Sequence, residues 1–174
     1  SGIERLFLQE QHLQSKPIAN IDNTYDFTVP SSTKMIAFFI QSGRVGSDIT
    51  VPSTSFKCAN DYDLSVESFQ ITYANHTRPS TKWSSTFNGV QNSLQQRYYD
   101  TYSECGLSEL QGGCETMSDW LKRGPLYVYR FDRDTDDKST QVQLALTMKS
   151  FERGSNLIIC AFHSRTVEIA YANG

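Results

Sequence analysis

The sequence predicts an all-β protein: two packed antiparallel sheets, eight strands in total, with one helical insertion between the fourth and fifth strands. Three observations carry this. Gly124 to Gly174 holds four runs rich in β-branched and aromatic residues, each bounded by turn chemistry. The first 74 residues hold four more such runs. Apolar residues at three- and four-residue spacing occur in the stretch between the two groups, about 75–123.

Ile3 to Leu13 alternates only loosely and is the first strand. Thr24 to Val29 alternates better, and Lys34 to Gln41 is a nearly continuous apolar run, the pattern of a buried strand. Pro30-Ser31-Ser32 between them is a tight turn. From Ser42 to Asn60 the composition shifts to Gly, Ser, Thr, Pro and Asp, a long loop. Tyr62 to Ala74 is the fourth strand, with apolar positions at Tyr62, Leu64, Val66, Phe69, Ile71 and Tyr73. The period slips by one between Val66 and Phe69, which predicts a bulge there.

Within the insertion, Val90, Leu94, Arg97, Tyr98 and Tyr102 predict a helix over Asn88 to Ser103, ended by Cys105-Gly106. A second, short helix is expected at Ser118 to Lys122. Ser118 would cap it, Trp120 and Leu121 would face the core, and Gly124-Pro125 would stop it. The last four strands are Gly124 to Phe131, Thr140 to Met148, Asn156 to Phe162 and Thr166 to Ala172. Eight strands in two groups of four suggest a jelly roll. That order puts the first, eighth, third and sixth strands in one sheet and the second, seventh, fourth and fifth in the other. Both ends of the chain should lie close together at one end of a single domain, 1–174.

Composition bounds the function. A chain of 174 residues buries enough surface to fold without a disulfide or metal staple. A net charge of −3 and a pI near 5.6 give no electrostatic footprint for nucleic acid. No apolar run approaches the roughly 20 residues of a membrane-spanning helix, and Ser1-Gly2-Ile3 lacks the basic-then-apolar pattern of a signal peptide. Cys58, Cys105, Cys114 and Cys160 form no Cys-x-x-Cys pair and lie far from His12, His76 and His163, so a zinc site is not expected. Cys160 reads as a small buried hydrophobe. A reduced intracellular chain is preferred over a secreted one with a Cys105–Cys114 bridge.

Other motifs have plain readings. The acidic run Asp132 to Asp137 lacks the central Gly and terminal Glu of a calcium loop and reads as a solvated turn. Asn75-His76-Thr77 is a formal glycosylation sequon, read here as a strand-end turn. Ser, His and Asp all occur, but no Gly-x-Ser-x-Gly is present, and a hydrolase would need His163 or His12 beside an acid and a nucleophile in a concave site. Neither catalysis nor a cofactor is expected.

The segments QITYANHTRPSTKW (Gln70 to Trp83), QQRYYD (Gln95 to Asp100), GGCETMSDWLKRGPLYVYRFDRD (Gly112 to Asp134) and VEIAYANG (Val167 to Gly174) carry a resemblance. Together they resemble the C-terminal jelly roll of a double jelly-roll major capsid protein, of the type in polinton-like elements, adintoviruses and virophages, and more distantly in large nucleocytoplasmic DNA viruses. The resemblance covers most of the chain from Ile3 onward. It implies a capsomer trimer of pseudo-hexagonal outline, with upright strands and long loops that contact neighbours, located in the virion and assembled inside the host cell. A complete double jelly roll needs two such modules and this chain supplies one, so it is either one module of a longer protein or a single jelly-roll penton.

Three aromatic residues are candidate contacts. Trp83, beside Lys82 in a polar stretch, is the first choice for an exposed anchor, and Tyr99 and Tyr102 on the helix are the others. Tyr98 and Trp120 read as satellite core, and Arg97 has Asp100 or Asp119 as its ion-pair candidates. The competing function is a receptor- or carbohydrate-binding jelly roll, in which Trp83 and the tyrosines would stack on sugar rings.

Overall fold

The computed structural model describes residues 2–41, 43, 66–84, 92–105, 116–123, 126–131 and 139–171. In chain order the elements are β1 (Gly2–Pro17), β2 (Asp22–Thr28), β3 (Thr33–Gln41), β4 (Val66–Tyr73), β5 (His76–Ser84), α1 (Asn92–Glu104), α2 (Met117–Arg123), β6 (Tyr127–Arg130), β7 (Gln141–Met148) and β8 (Asn156–Tyr171). The strands form two four-stranded sheets, β1-β8-β3-β6 and β2-β7-β4-β5. Every pairing is antiparallel. This is the jelly-roll order that the sequence predicts.

The strands that fill that order differ from expectation in two places, and in consequence Gly124 to Phe131, Thr140 to Met148 and Asn156 to Phe162, expected as the fifth, sixth and seventh strands, each lie in the opposite sheet from the one expected. His76–Ser84, expected inside the insertion, is the fifth strand, joined to β4 by a turn in which Ala74 and Asn75 have φ of 52° and 62°. Two successive positive φ values make a tight hairpin turn whose twist matches the flanking strands. The helical insertion therefore lies between the fifth and sixth strands rather than the fourth and fifth. β5 is hard to read because it carries Pro79 and mostly polar residues, which only an edge strand tolerates. At the other end, the two expected strands Asn156 to Phe162 and Thr166 to Ala172 are one continuous strand, β8.

The register shifts between Val66 and Ser68, where the slipped period places a bulge. Thr33 closes the turn after Pro30, its N–H and hydroxyl both donating to the Pro30 carbonyl at 3.1 and 2.7 Å. Gly2 lies directly opposite Tyr171, so the two ends meet. Most of the 42–60 loop, the acidic run 132–137, residues 62–65, Val90, Gly106, Cys58, Cys114 and Gly124-Pro125 lie outside the described residues.

The core is the seam between the sheets. Phe38 of β3 meets Phe69 of β4 edge-on across it, with ring centroids 4.9 Å apart, and Tyr127 of β6 stacks on Phe38 at 4.9 Å and tilts against Phe69 at 4.7 Å. Phe27, Ile36, Ile71, Leu144, Leu146, Leu157 and Ile159 are buried around them. Each aromatic pair adds about 0.5–1.5 kcal/mol beyond its area burial. Along the β1–β2 edge the seam is closed by polar arms. Gln14 Nε2 donates to the Thr28 carbonyl at 2.6 Å, and Lys16 donates to the Asp26 carbonyl with its ammonium 4.8 Å from the Phe27 ring centroid.

Candidate interaction surfaces

α1 sits against β6, the short edge strand of its sheet, and α2 packs on α1. Residues spaced by four along α1 share a face, which brings Arg97 and Thr101 inward together; both are buried. The Arg97 guanidinium is only 2 % exposed. Its carbon lies 4.8 Å from the Tyr129 ring centroid and 5.9 Å from that of Phe69, and its Nη2 pairs with Asp100 Oδ2 at 3.0 Å. Of the two carboxylates expected for it, Asp100 is the partner. Arg97 Nε, Thr101 Oγ1 and the Tyr129 hydroxyl have no hydrogen-bond partner among the described residues. Burial pushes the Tyr129 phenol far above its usual range, with Asp100 and Glu104 acting the same way and Arg97 against them.

At the far end of α1, Glu104 Oε2 accepts the Arg130 N–H at 2.7 Å, tying the helix to the edge of β6. Ahead of α2 the cap is Thr116, not Ser118. Thr116 Oγ1 accepts the Asp119 N–H at 3.1 Å and donates to Asp119 Oδ2 at 2.7 Å, a reciprocal closure of the first turn. Trp120 then points inward as expected, its indole N–H donating to the Leu126 carbonyl at 3.2 Å. An aromatic chain runs outward from the core: Tyr127 to Trp120 at 5.9 Å, Trp120 to Tyr98 at 5.7 Å, and Tyr98 to Tyr99 and Tyr102 at 5.5 and 5.6 Å. Tyr99, 43 % exposed, is its outer end, and Tyr102 is half-buried.

Trp83 is not an exposed anchor. It is 8 % exposed on β5, opposite Phe69, with its ring 5.0 Å from Phe69 and 5.6 Å from Tyr127. Pairing β5 with β4 turns alternate residues inward, and Trp83 falls on the core face while Lys82 falls outside. The three candidates therefore separate, two on the α1 surface and one in the core.

A second surface is not evident from the sequence. β1 pairs with β8 over 16 consecutive rungs, but β3 pairs with β8 only as far as His163. Beyond that rung, residues 2–10 and 163–171 form a two-stranded ribbon that leaves the sandwich. Its side chains are largely in solvent on both faces, including Ile3 at 70 %, Phe7 at 79 %, Leu6, Leu8 and Ile169. Glu10 marks the base of the ribbon, 3.6 Å from His163 and 3.7 Å from Arg165, and Arg5 pairs with Glu168 at 2.8 Å further out. The loose alternation of Ile3 to Leu13 is the signal: a strand without a buried face has no reason to alternate.

Among the described residues no group of three or more His, Cys, Asp or Glu side chains is placed to hold a metal ion. No helix among them is long and apolar enough to cross a membrane. No family model matches the chain, and no curated protein matches it significantly. Among solved structures it is similar to a chain of the Sputnik virophage, solved by cryo-EM, with 13% identity and a TM-score of 0.51, over 95% of this chain and 36% of that one. It is also similar to a chain of the quasi-atomic PBCV-1 virus capsid, with 12% identity and a TM-score of 0.49, over 98% of this chain and 52% of that one. The chain thus spans about half or less of the length of either neighbour. The likeness to the virophage chain is one of fold.

Proposed function

We propose that this chain is a capsid jelly-roll module, a viral structural protein that works through contacts with copies of itself or of a parent capsid protein and carries no catalytic role. The observation that carries the reading is the jelly roll shared with a virophage chain over 95% of this sequence. In this reading it is one module of a double jelly-roll subunit, placed in the virion and assembled inside the host cell. The mechanism is mechanical. A seam packed with aromatic rings makes the sandwich a stiff block, and the α1–α2 cap carries Tyr99 and Tyr102 to its surface as anchors for a neighbour around a threefold axis. The net charge of −3 supports contacts with protein rather than nucleic acid. The sugar-binding alternative loses its main support because the Trp83 ring is packed between Phe69 and Tyr127.

Light scattering on a size-exclusion column over a concentration series tests the proposal. The expected mass is three chains or a multiple of three, and Tyr99→Lys is expected to abolish the threefold association. A monomer at every concentration, or millimolar-or-better binding on a glycan array, counts against it.

A further inference from the structure

We infer that the β1–β8 ribbon is a docking strand for a second copy of this chain, the two β1 strands pairing antiparallel about a twofold axis at Leu8. This interface is separate from the Tyr99 surface and does not depend on the capsid reading.

The ribbon is an unfinished sheet. A two-stranded ribbon with both faces wet is marginally stable at best, and this one also holds Ile3, Leu6, Phe7 and Leu8 in water. Edge strands usually carry a bulge, a Pro or inward charges that block further pairing. β1 has 16 unbroken rungs to β8, and its Lys16 and Pro17 come only at the end, next to the sandwich. Among the described residues no strand pairs with its other edge. The tip is therefore long and regular, without a bulge or Pro, and holds four exposed apolar side chains among Glu4, Arg5 and Glu10, which suits strand addition by a partner of matching pattern.

The sequence of β1 favours one self-pairing register. Opposed residues of an antiparallel pair share a face, so only axes on a residue keep the faces matched. With the axis at Leu8, Leu8 meets its own copy, Ile3 meets Leu13, Arg5 meets Gln11, and the Glu4 carboxylate faces the His12 imidazole. Leu6 meets Glu10, whose carboxylate already turns to His163 and Arg165 of its own chain. Moving the axis to Phe7 opposes Phe7 to its own copy and Leu6 to Leu8, but sets Glu4 against Glu10, a like-charge pair, at both ends. Moving it to Gln9 sets Leu8 against Glu10 and Arg5 against Leu13. The Leu8 register opposes Phe7 to Gln9, but of the three it alone pairs Ile3 with Leu13 and a carboxylate with a ring N–H at both ends without setting like charges together.

Oxidative cross-linking of the full chain tests the register, with the wild type as the control for its native cysteines. Leu8→Cys is expected to form a covalent dimer. Arg5→Cys is not, because the two copies of residue 5 would lie about 20 Å apart along the strands. An equal mixture of Glu4→Cys and His12→Cys is expected to cross-link more than either alone. Leu8→Lys sets two ammonium groups against each other and should weaken the twofold association about tenfold or more, with circular dichroism unchanged. In the Tyr99→Lys background the ribbon dimer should persist; in Leu8→Lys the threefold association should persist. Equal cross-linking of Leu8→Cys and Arg5→Cys, or self-association of the Tyr99→Lys chain that Leu8→Lys leaves intact, would overturn the ribbon interface without touching the capsid reading. A Tyr99→Lys chain that is monomeric at every concentration would overturn it as well.

Discussion

The guanidinium carbon of Arg97 lies 4.8 Å from the ring centroid of Tyr129, so that a buried cation from α1 covers a buried phenol from β6. This contact fixes the helix on the sheet. Truncating Arg97→Ala removes the stacking and leaves a cavity, at an expected cost of about 2–4 kcal/mol in urea unfolding. Arg97→Met fills most of the same volume without a buried charge, and should lie within about 1.5 kcal/mol of wild type. Equal losses in the two variants would mean that the ion pair with Asp100, rather than packing, holds α1 down.

Tyr129 makes the fold sensitive to alkali. Its phenol is raised above the usual 10.0, first by burial, so the folded state holds that proton more tightly than the unfolded chain does. The contribution is complete below pH 10 and is lost as the pH rises from there toward the folded value. Tyr129→Phe should flatten this alkaline loss of stability in unfolding curves run from pH 8 upward. At pH 7 the variant should be at least as stable as wild type, since the hydroxyl it removes has no partner among the described residues.

Trp83 separates a core role from a contact role in one measurement. Trp83→Ala should cost about 3–5 kcal/mol in unfolding, with little change in the mass of whatever oligomer still folds. A variant of near-native stability that fails to assemble would restore Trp83 to the surface.

Gly43 is set by a close approach. A Cβ built on it would stand 2.0 Å from the Arg153 carbonyl oxygen, a backbone atom that cannot rotate away, beside Gly154 with its φ of +83°. Gly43→Ala should destabilise the chain by about 1–3 kcal/mol or more, read as a lower midpoint in thermal unfolding. An unchanged midpoint would show that the two segments separate easily.

How legible each strand is in the sequence depends on where it sits. Lys34 to Gln41 and Thr140 to Met148 can be read because each contributes a buried face, and burial writes an apolar pattern. β5 cannot, because an edge strand tolerates Pro79 and needs few apolar residues beyond Trp83. Its turn is hidden as well, since Ala74-Asn75 lacks the glycine that usually marks such hairpins. Ser164-Arg165 looks like a break in β8 because the ribbon around it has no core to face. Of the contact residues, Tyr99 can be placed outward from helical spacing, whereas the fate of Trp83 depends on a register that only the β4–β5 pairing defines.

The pairing of Gly2 with Tyr171 also sets how the molecule yields to tension. A pull applied across those two ends opens the β1–β8 ladder from its tip, like a zipper, so the bonds break a pair at a time and at low force. The first rungs to part carry no hydrophobic load, and the pull reaches Ile159 and Leu157 only near the end of the ladder. The ribbon is thus a mechanical fuse, giving way before the sandwich is disturbed.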